Sequence, residues 1–355
     1  LQATTAALNE LHGAYALACL FANHDDLMIG ARKGSPLLVG IGTGEMYLGS
    51  DALAVADLTQ KVIYLDEGDV VALTRTSHQI YNVGGQPVSR PTAMIQNAAA
   101  AEKGNHRHFM QKEIYEQPET VGRTVARYVD GYSSSITLPD FDGLDLQHLT
   151  HLSVTACGTA YYAGRVAEYW IEQIAKVPVD CDIASEFRYR EPVLDPAGAA
   201  LFISQSGETA DTLAALRHAK AGGLKSLAVL NVPQSTMWRE ADAVLPTLAG
   251  PEIGVASTKA FSAQLAALAT FTVALARARG AISAEQAQTY GRALIELPRL
   301  VAEALQVESQ IAALAEDLAR ATGVLFLGRG VYYPLAMEGA LKLKEISYLH
   351  AEGYA

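Results

Sequence analysis

The sequence predicts an α/β protein: a doubly wound parallel sheet with helices on both faces, preceded by a strand-rich α+β block. From about residue 150 onward, short apolar runs alternate with helical ones, the order expected of a parallel sheet covered on both sides. Within that region an apolar run over 199–203 passes through Ser204-Gln205-Ser206-Gly207-Glu208-Thr209-Ala210-Asp211-Thr212 into a helical run over 213–222. The hydroxyls of Ser204, Ser206 and Thr209 and a glycine therefore sit where a strand becomes a helix. Residues 1–90 carry instead closely spaced short runs divided by turn residues, the mark of an antiparallel block.

Residues 1–11 read as the end of a helix. Strands are expected over 14–22, 26–31, 36–39, 46–49, 61–65, 69–74 and 78–83, the last closed by Gly84-Gly85. Gly40-Ile41-Gly42-Thr43-Gly44 has the glycines of a dinucleotide loop, but no helical pattern follows it, so a turn between strands is expected. The small, polar run Asn97-Ala98-Ala99-Ala100-Ala101-Glu102-Lys103-Gly104-Asn105 reads as a linker. The expected division is 1–92, a linker over 93–105, a first α/β unit with its leading helix over 106–280, and the start of a second unit over 281–355.

A helix is expected over 109–132, then a strand over 151–156, a helix over 161–175, and strands over 178–183, 199–203, 226–231 and 243–248. The long apolar stretch 260–276 contains Ser262, Gln264, Thr270 and Thr272, which favours a buried helix over 258–279 against a membrane span. Helices over 284–306 and 309–321 lead to a strand over 324–327, a Gly328-Arg329-Gly330 turn, Tyr332-Tyr333 and a helix over 334–347. This order loosely repeats strand, Cys157-Gly158-Thr159, Tyr161-Tyr162, helix. A doubly wound unit needs on the order of 100 residues, more than the second copy has, so the chain is expected to end inside a domain.

Half the residues are hydrophobic and 18% are charged, as in globular proteins. A net charge of −11 argues against nucleic acid as a partner and requires an anionic substrate to be held by local donors. Cys19, Cys157 and Cys181 are too widely spaced for a zinc pattern or a disulfide framework, and their odd number suits a reducing compartment. No signal peptide opens the sequence, so a cytoplasmic location without a membrane partner is expected. His106-Arg107-His108 lacks a third ligand nearby, and a surface role is favoured over a metal.

Ligands of open parallel sheets bind at the carboxyl ends of the strands. Three polar loops fall there: Cys157-Gly158-Thr159-Ala160, residues 204–212 and residues 252–259. In the second loop a helix N-terminus offers unpaired N–H groups, and Ser204, Ser206 and Thr209 add hydroxyl donors. No lysine stands inside it, which favours a monophosphate over a nucleoside triphosphate. The competing reading is that these hydroxyls only cap the helix. Glu338, Lys342 and Glu345 are spaced i, i+4 and i+7 and so share one helix face, as a solvated salt-bridged stripe also would.

Five segments in order add a resemblance that spans the chain: His108-Phe109-Met110-Gln111-Lys112-Glu113-Ile114; Cys157-Gly158-Thr159; Ser204-Gln205-Ser206-Gly207-Glu208-Thr209; Glu252-Ile253-Gly254-Val255-Ala256-Ser257-Thr258-Lys259; and Glu338-Gly339-Ala340-Leu341-Lys342-Leu343-Lys344-Glu345. Together they closely resemble the glutamine–fructose-6-phosphate aminotransferase (isomerising) family, the glucosamine-6-phosphate synthases. The resemblance implies a glutaminase domain of the N-terminal-nucleophile fold followed by two sugar-isomerase (SIS) subdomains. Residues 1–92 would be the later half of the glutaminase domain. The chain is thus expected to be truncated at both ends, and none of its cysteines can serve as the glutaminase nucleophile.

By the same resemblance Ser204, Gln205, Ser206 and Thr209 hold the phosphate, Thr159, Val255 (through its backbone) and Ser257 contact the sugar, Glu345 is the base that moves a proton between C1 and C2, Lys342 stabilises negative charge on the open-chain sugar, and Glu338 orients Lys342. For Ser257 a helix cap is the competing role. The family has serine where this chain has Ala160, and its ring-opening histidine would lie downstream. The implied reaction converts fructose 6-phosphate and glutamine to glucosamine 6-phosphate and glutamate. It requires no metal or organic cofactor, and family members pair as homodimers through their SIS domains. Glutamine would be a partner of the complete chain only. The alternatives are a non-catalytic SIS module that binds sugar phosphates, and a related deglycase, against which residues 1–90 argue.

Overall fold

Alternation along the first strands sets the architecture of the amino-terminal part: in Tyr15–Leu20, every second residue is half-buried and the others are exposed. The computed structural model describes residues 1–95, 103–141 and 144–355. The chain forms two compact units, Leu1–Glu102 and Lys103–Ala355.

In the first unit, helix α1 (Gln2–Asn9) precedes β1 (Tyr15–Leu20), β2 (Met28–Lys33), β3 (Leu38–Ile41), β4 (Met46–Gly49), β5 (Lys61–Tyr64), β6 (Val70–Leu73), β7 (His78–Tyr81), β8 (Pro87–Val88) and β9 (Thr92–Met94). They form two antiparallel sheets, in the orders β1-β2-β6-β7-β8 and β4-β3-β5-β9. Val39, Ile63, Leu65, Val71 and Ile80 come from both and make a shared apolar core. The glycine run around residue 42 is the expected turn: Gly42 N–H donates to the Glu45 carbonyl at 3.0 Å between β3 and β4, and Gly44 has φ +76°. Below β6, buried Asp69 receives both forks of Arg90 at 2.9 Å. The short β8 and β9 were not expected, because two or three residues carry too little pattern to read. The expected linker over 93–105 therefore begins inside a strand, and its residues 96–102 lie outside the described residues.

The second unit opens with α2 (Phe109–Tyr128), which continues through Pro118. Proline removes an N–H from the helix ladder, and the Ile114 carbonyl it would have served accepts the Gln117 side-chain amide at 3.1 Å. Next come β10 (Leu152–Ala156), α3 (Gly158–Trp170) with a wider turn over Ile171–Ala175, β11 (Val179–Ile183), α4 (Ala184–Arg190), β12 (Ala199–Ser204), α5 (Ala210–Ala221), β13 (Lys225–Leu230), α6 (Thr236–Glu240), β14 (Ala243–Pro246) and α7 (Lys259–Ala278). The five strands are parallel, in the order β11-β10-β12-β13-β14. Both faces are covered, so every residue of β12 is buried: Leu201 and Ile203 pack with α2, α3 and α7 residues, Ala200 and Phe202 with residues of α4, α5 and α6. α7 is the one described helix long and apolar enough to cross a membrane, and 72% of its apolar window is buried in this core.

The chain then runs through α8 (Ala284–Ala304), α9 (Glu308–Leu318), β15 (Gly323–Leu327), α10 (Tyr332–Ser347) and β16 (His350–Tyr354). β15 and β16 pair in parallel, and α10 packs on both them and α3. β16 was not expected because His350-Ala351-Glu352-Gly353-Tyr354 is not an apolar run.

Candidate active site

β10 is followed by strands on both its sides, β11 on one and β12 on the other, so the crevice between the carboxyl ends of β10 and β12 is a topological switch point. The two loops leaving that crevice carry Thr159 and the 204–209 turn.

The phosphate-type turn is built by its own hydroxyls. Ser204 is 3% exposed, accepts the Gly207 N–H at 3.0 Å and lies 3.1 Å from the Thr209 hydroxyl. Ser206 Oγ accepts the Glu208 N–H at 3.2 Å. From behind, Asn231 N–H donates to the Gln205 carbonyl at 3.2 Å and Met237 N–H to the Gly207 carbonyl at 3.1 Å, while Thr236 N–H donates to Glu208 at 2.6 Å. Helix α5 begins at Ala210, three residues before the expected start, with Thr209 in the capping position. The Thr209 side chain makes no cap hydrogen bond, so the capping reading does not account for its hydroxyl. Gln205, Ser206 and Thr209 stay half-buried at the crevice, whereas Ser204 is committed to the turn itself.

Thr159, in the first turn of α3, meets the acid–base face of α10. Its hydroxyl donates to Glu338 Oε1 at 2.9 Å and accepts from Lys342 Nζ at 2.7 Å. Lys342 Nζ also lies 2.6 Å from Glu345 Oε2 and 3.4 Å from Glu338 Oε1. The stripe is therefore not the solvated one the spacing also allowed: the Glu338 side chain is 7% exposed and that of Lys342 19%. Lys342 lies closest to Glu345 and Thr159, and it also makes a direct ion pair with Glu338. Burial pushes the Glu338 carboxyl up to about 7, against the lowering pull of Lys342 and Thr159, with Glu345 adding a further upward push. Its Oε2 is buried with no hydrogen-bond partner among the described residues.

An acid raised in this way binds its proton more tightly when folded. Between the ordinary value of 4.5 and about 7 the folded chain holds the extra proton, so this group's contribution to stability falls as pH rises through that window and is flat above it. Thermal melts of wild type and Glu338→Gln between pH 4.5 and 8 should therefore differ by a curve that slopes across this range. Parallel melting curves would contradict the upward shift of the Glu338 carboxyl.

Val255 and Ser257 form a third group, on the loop between β14 and α7. Val255 is 96% exposed at its tip. Ser257 does not cap α7: its hydroxyl donates to Glu252 Oε2 at 2.8 Å, and it is Glu252 that accepts the N–H groups of Thr258 at 2.8 Å and Ala260 at 3.1 Å. Two carboxylates of α2 grip the same loop. Glu113 accepts from Ile253 and Gly254, and Glu116 from Lys259 Nζ at 2.6 Å. Burial pushes the Glu116 carboxyl up, but Lys259 and Lys112 outweigh it and leave the carboxyl below its usual value. Sequence reasoning missed Glu113 and Glu252. The available signal for Glu113 was its phase with Thr120, Val121 and Thr124 on the buried side of α2.

Ala160, Cys157 and Cys181 pack against the two apolar cores of this unit, and burial pushes the Cys181 thiol far up. His106 stacks on Tyr115 with ring centroids 5.7 Å apart. Among the described residues no three His, Cys, Asp or Glu side chains gather as a cation site.

A family model described as SIS domain matches residues 145–274. The chain is 56% identical over 349 residues to glutamine–fructose-6-phosphate aminotransferase (isomerizing) of Brucella abortus biovar 1 (strain 9-941), a match that covers 98% of this chain and 57% of that relative. It is also 56% identical over 354 residues to the protein of the same name from Zymomonas mobilis subsp. mobilis, covering 99% of this chain and 58% of the relative. The chain thus spans somewhat over half the length of these relatives. Among solved structures, the C-terminal domain of glucosamine-fructose-6-phosphate aminotransferase from Francisella tularensis matches with a TM-score of 0.69 at 46% identity, covering 72% of this chain and 71% of that one. Glucosamine-6-phosphate deaminase from Thermotoga maritima, at 21% identity and a TM-score of 0.54, shares the fold over 70% of each chain.

Proposed function

Because the chain belongs to the glutamine–fructose-6-phosphate aminotransferase (isomerising) family, we propose that its second unit seats open-chain fructose 6-phosphate and carries its conversion to glucosamine 6-phosphate. The observation that carries this reading is the position of Thr159. It stands at the switch point beside the phosphate-type turn and is hydrogen-bonded to both Glu338 and Lys342. This position supports the reading that a phosphate seat and an acid–base cluster share one crevice.

In this scheme Gln205, Ser206 and Thr209 bind the phosphate, aided by the N-terminus of α5, and Ser204 shapes the turn. Thr159, the Val255 backbone and Ser257 contact the sugar. Ammonia condenses at the C2 carbonyl, losing water to give an imine. Glu345 then takes the proton from C1 and returns it at C2, the O1 hydroxyl proton passes to the imine nitrogen to leave the aldehyde and the amine, and Lys342 stabilises the negative charge that develops between these steps. Glutamine is the ammonia source in the whole protein, which works as a cytoplasmic homodimer paired through its SIS domains.

Calorimetric titration of the 355-residue chain with fructose 6-phosphate tests the seat. Ser206→Ala and Thr209→Val are each expected to weaken binding about tenfold, the loss of one hydrogen bond to a charged group. Unchanged affinity in both variants would remove the phosphate from this turn.

A further inference from the structure

We propose that Glu113 is a positioning residue for the sugar: it fixes the backbone of the 252–259 loop without touching the ligand. This rests on the seat described above. Glu113 lies on α2, is 2% exposed, and spends both carboxylate oxygens on consecutive main-chain donors. Ile253 N–H reaches Oε1 at 2.5 Å, and Gly254 N–H is 3.1 Å from each oxygen. The approach is so close that a Cβ on residue 254 would stand 2.5 Å from Oε2 and 3.3 Å from Met110 Cα, which explains the glycine. One turn further along α2, Glu116 holds buried Lys259 at the other end of the loop. Glu252 ties the α7 end from within. Between these anchors Val255 projects, 96% exposed, while its neighbour Ala256 is buried.

A carboxylate suits this task better than its amide. Both of its oxygens accept, whereas an amide would turn an NH2 group toward the Gly254 N–H. The leading helix thus does more than cover the sheet: it carries the part that shapes the sugar side of the crevice, remote in sequence from the phosphate turn.

The test compares two probes, fructose 6-phosphate and inorganic phosphate, binding to wild type and Glu113→Gln. Inorganic phosphate engages the 204–209 turn alone. Fructose 6-phosphate affinity is expected to fall about tenfold, while inorganic phosphate affinity stays within about twofold. Hydrogen exchange at Ile253 and Gly254 should quicken in the same variant. Equal weakening of both probes, or unchanged fructose 6-phosphate affinity, overturns the proposal. Should Glu113→Gln fail to fold, Gly254→Ala strikes the same contact from the loop side and is expected to show the same split. A wild-type chain that binds inorganic phosphate but not fructose 6-phosphate defeats the functional reading, and slow exchange at Ile253 and Gly254 would still report the contact itself.

Discussion

Glu345→Gln, in a polypeptide of the relatives' full length carrying this sequence, is expected to lower glucosamine 6-phosphate formation by about 10²–10⁴-fold, the usual worth of a positioned general base. Affinity for fructose 6-phosphate should change little. The substituted amide still offers an oxygen to Lys342, which lies 2.6 Å from the present carboxylate, so the lysine keeps a partner while the base is lost. Product formation measured alongside sugar binding separates the two effects. Retained turnover would take the base role from Glu345. It would then fall to Glu338, the carboxyl in this cluster that burial has raised to about 7.

Gly207→Ala is expected to cost about 2–4 kcal/mol of stability and to abolish the phosphate seat, through left-handed strain added to overpacking. Gly207 has φ +65°, and a Cβ there would stand 2.1 Å from Ser235 Oγ and 2.7 Å from Ser235 Cβ. Ser235 is 1% exposed and cannot withdraw without moving α6. Gly223→Ala is the control: its φ is +88° but no atom lies within 4 Å of the added carbon, so only the backbone cost of about 1 kcal/mol remains. Urea unfolding of both variants reads the difference. Equal losses would mean that the Ser235 contact is relieved cheaply.

Much of the second unit was legible because a parallel sheet buried on both faces needs apolar runs on every strand, and 199–203 or 226–231 can be little else. α4 was missed because Ala184-Ser185-Glu186-Phe187-Arg188-Tyr189-Arg190 buries only two residues, Ala184 and Phe187, too few for a period. The same limit hid β16. In the site, hydroxyls on a strand-to-helix turn and an i, i+4, i+7 stripe are local patterns, so Ser206, Thr209, Lys342 and Glu345 could be picked out along the chain. Which group holds which is tertiary. That Thr159 rather than Glu338 is the nearer partner of Lys342, and that Glu252 rather than a hydroxyl caps α7, depends on where helices meet. Glu113 reaches partners 140 and 141 residues away, beyond any spacing rule.

The hydrogen bonds of Thr159 to Glu338 and Lys342 join points 179 and 183 residues apart. Closing so long a loop is entropically costly before any contact rewards it. The sheet, the phosphate turn and the grip of α2 on its loop all involve shorter separations and need nothing from α10. We therefore expect the crevice to acquire its phosphate seat early in folding and its acid–base cluster last, so that a partly folded chain binds the phosphate before it can act on the sugar.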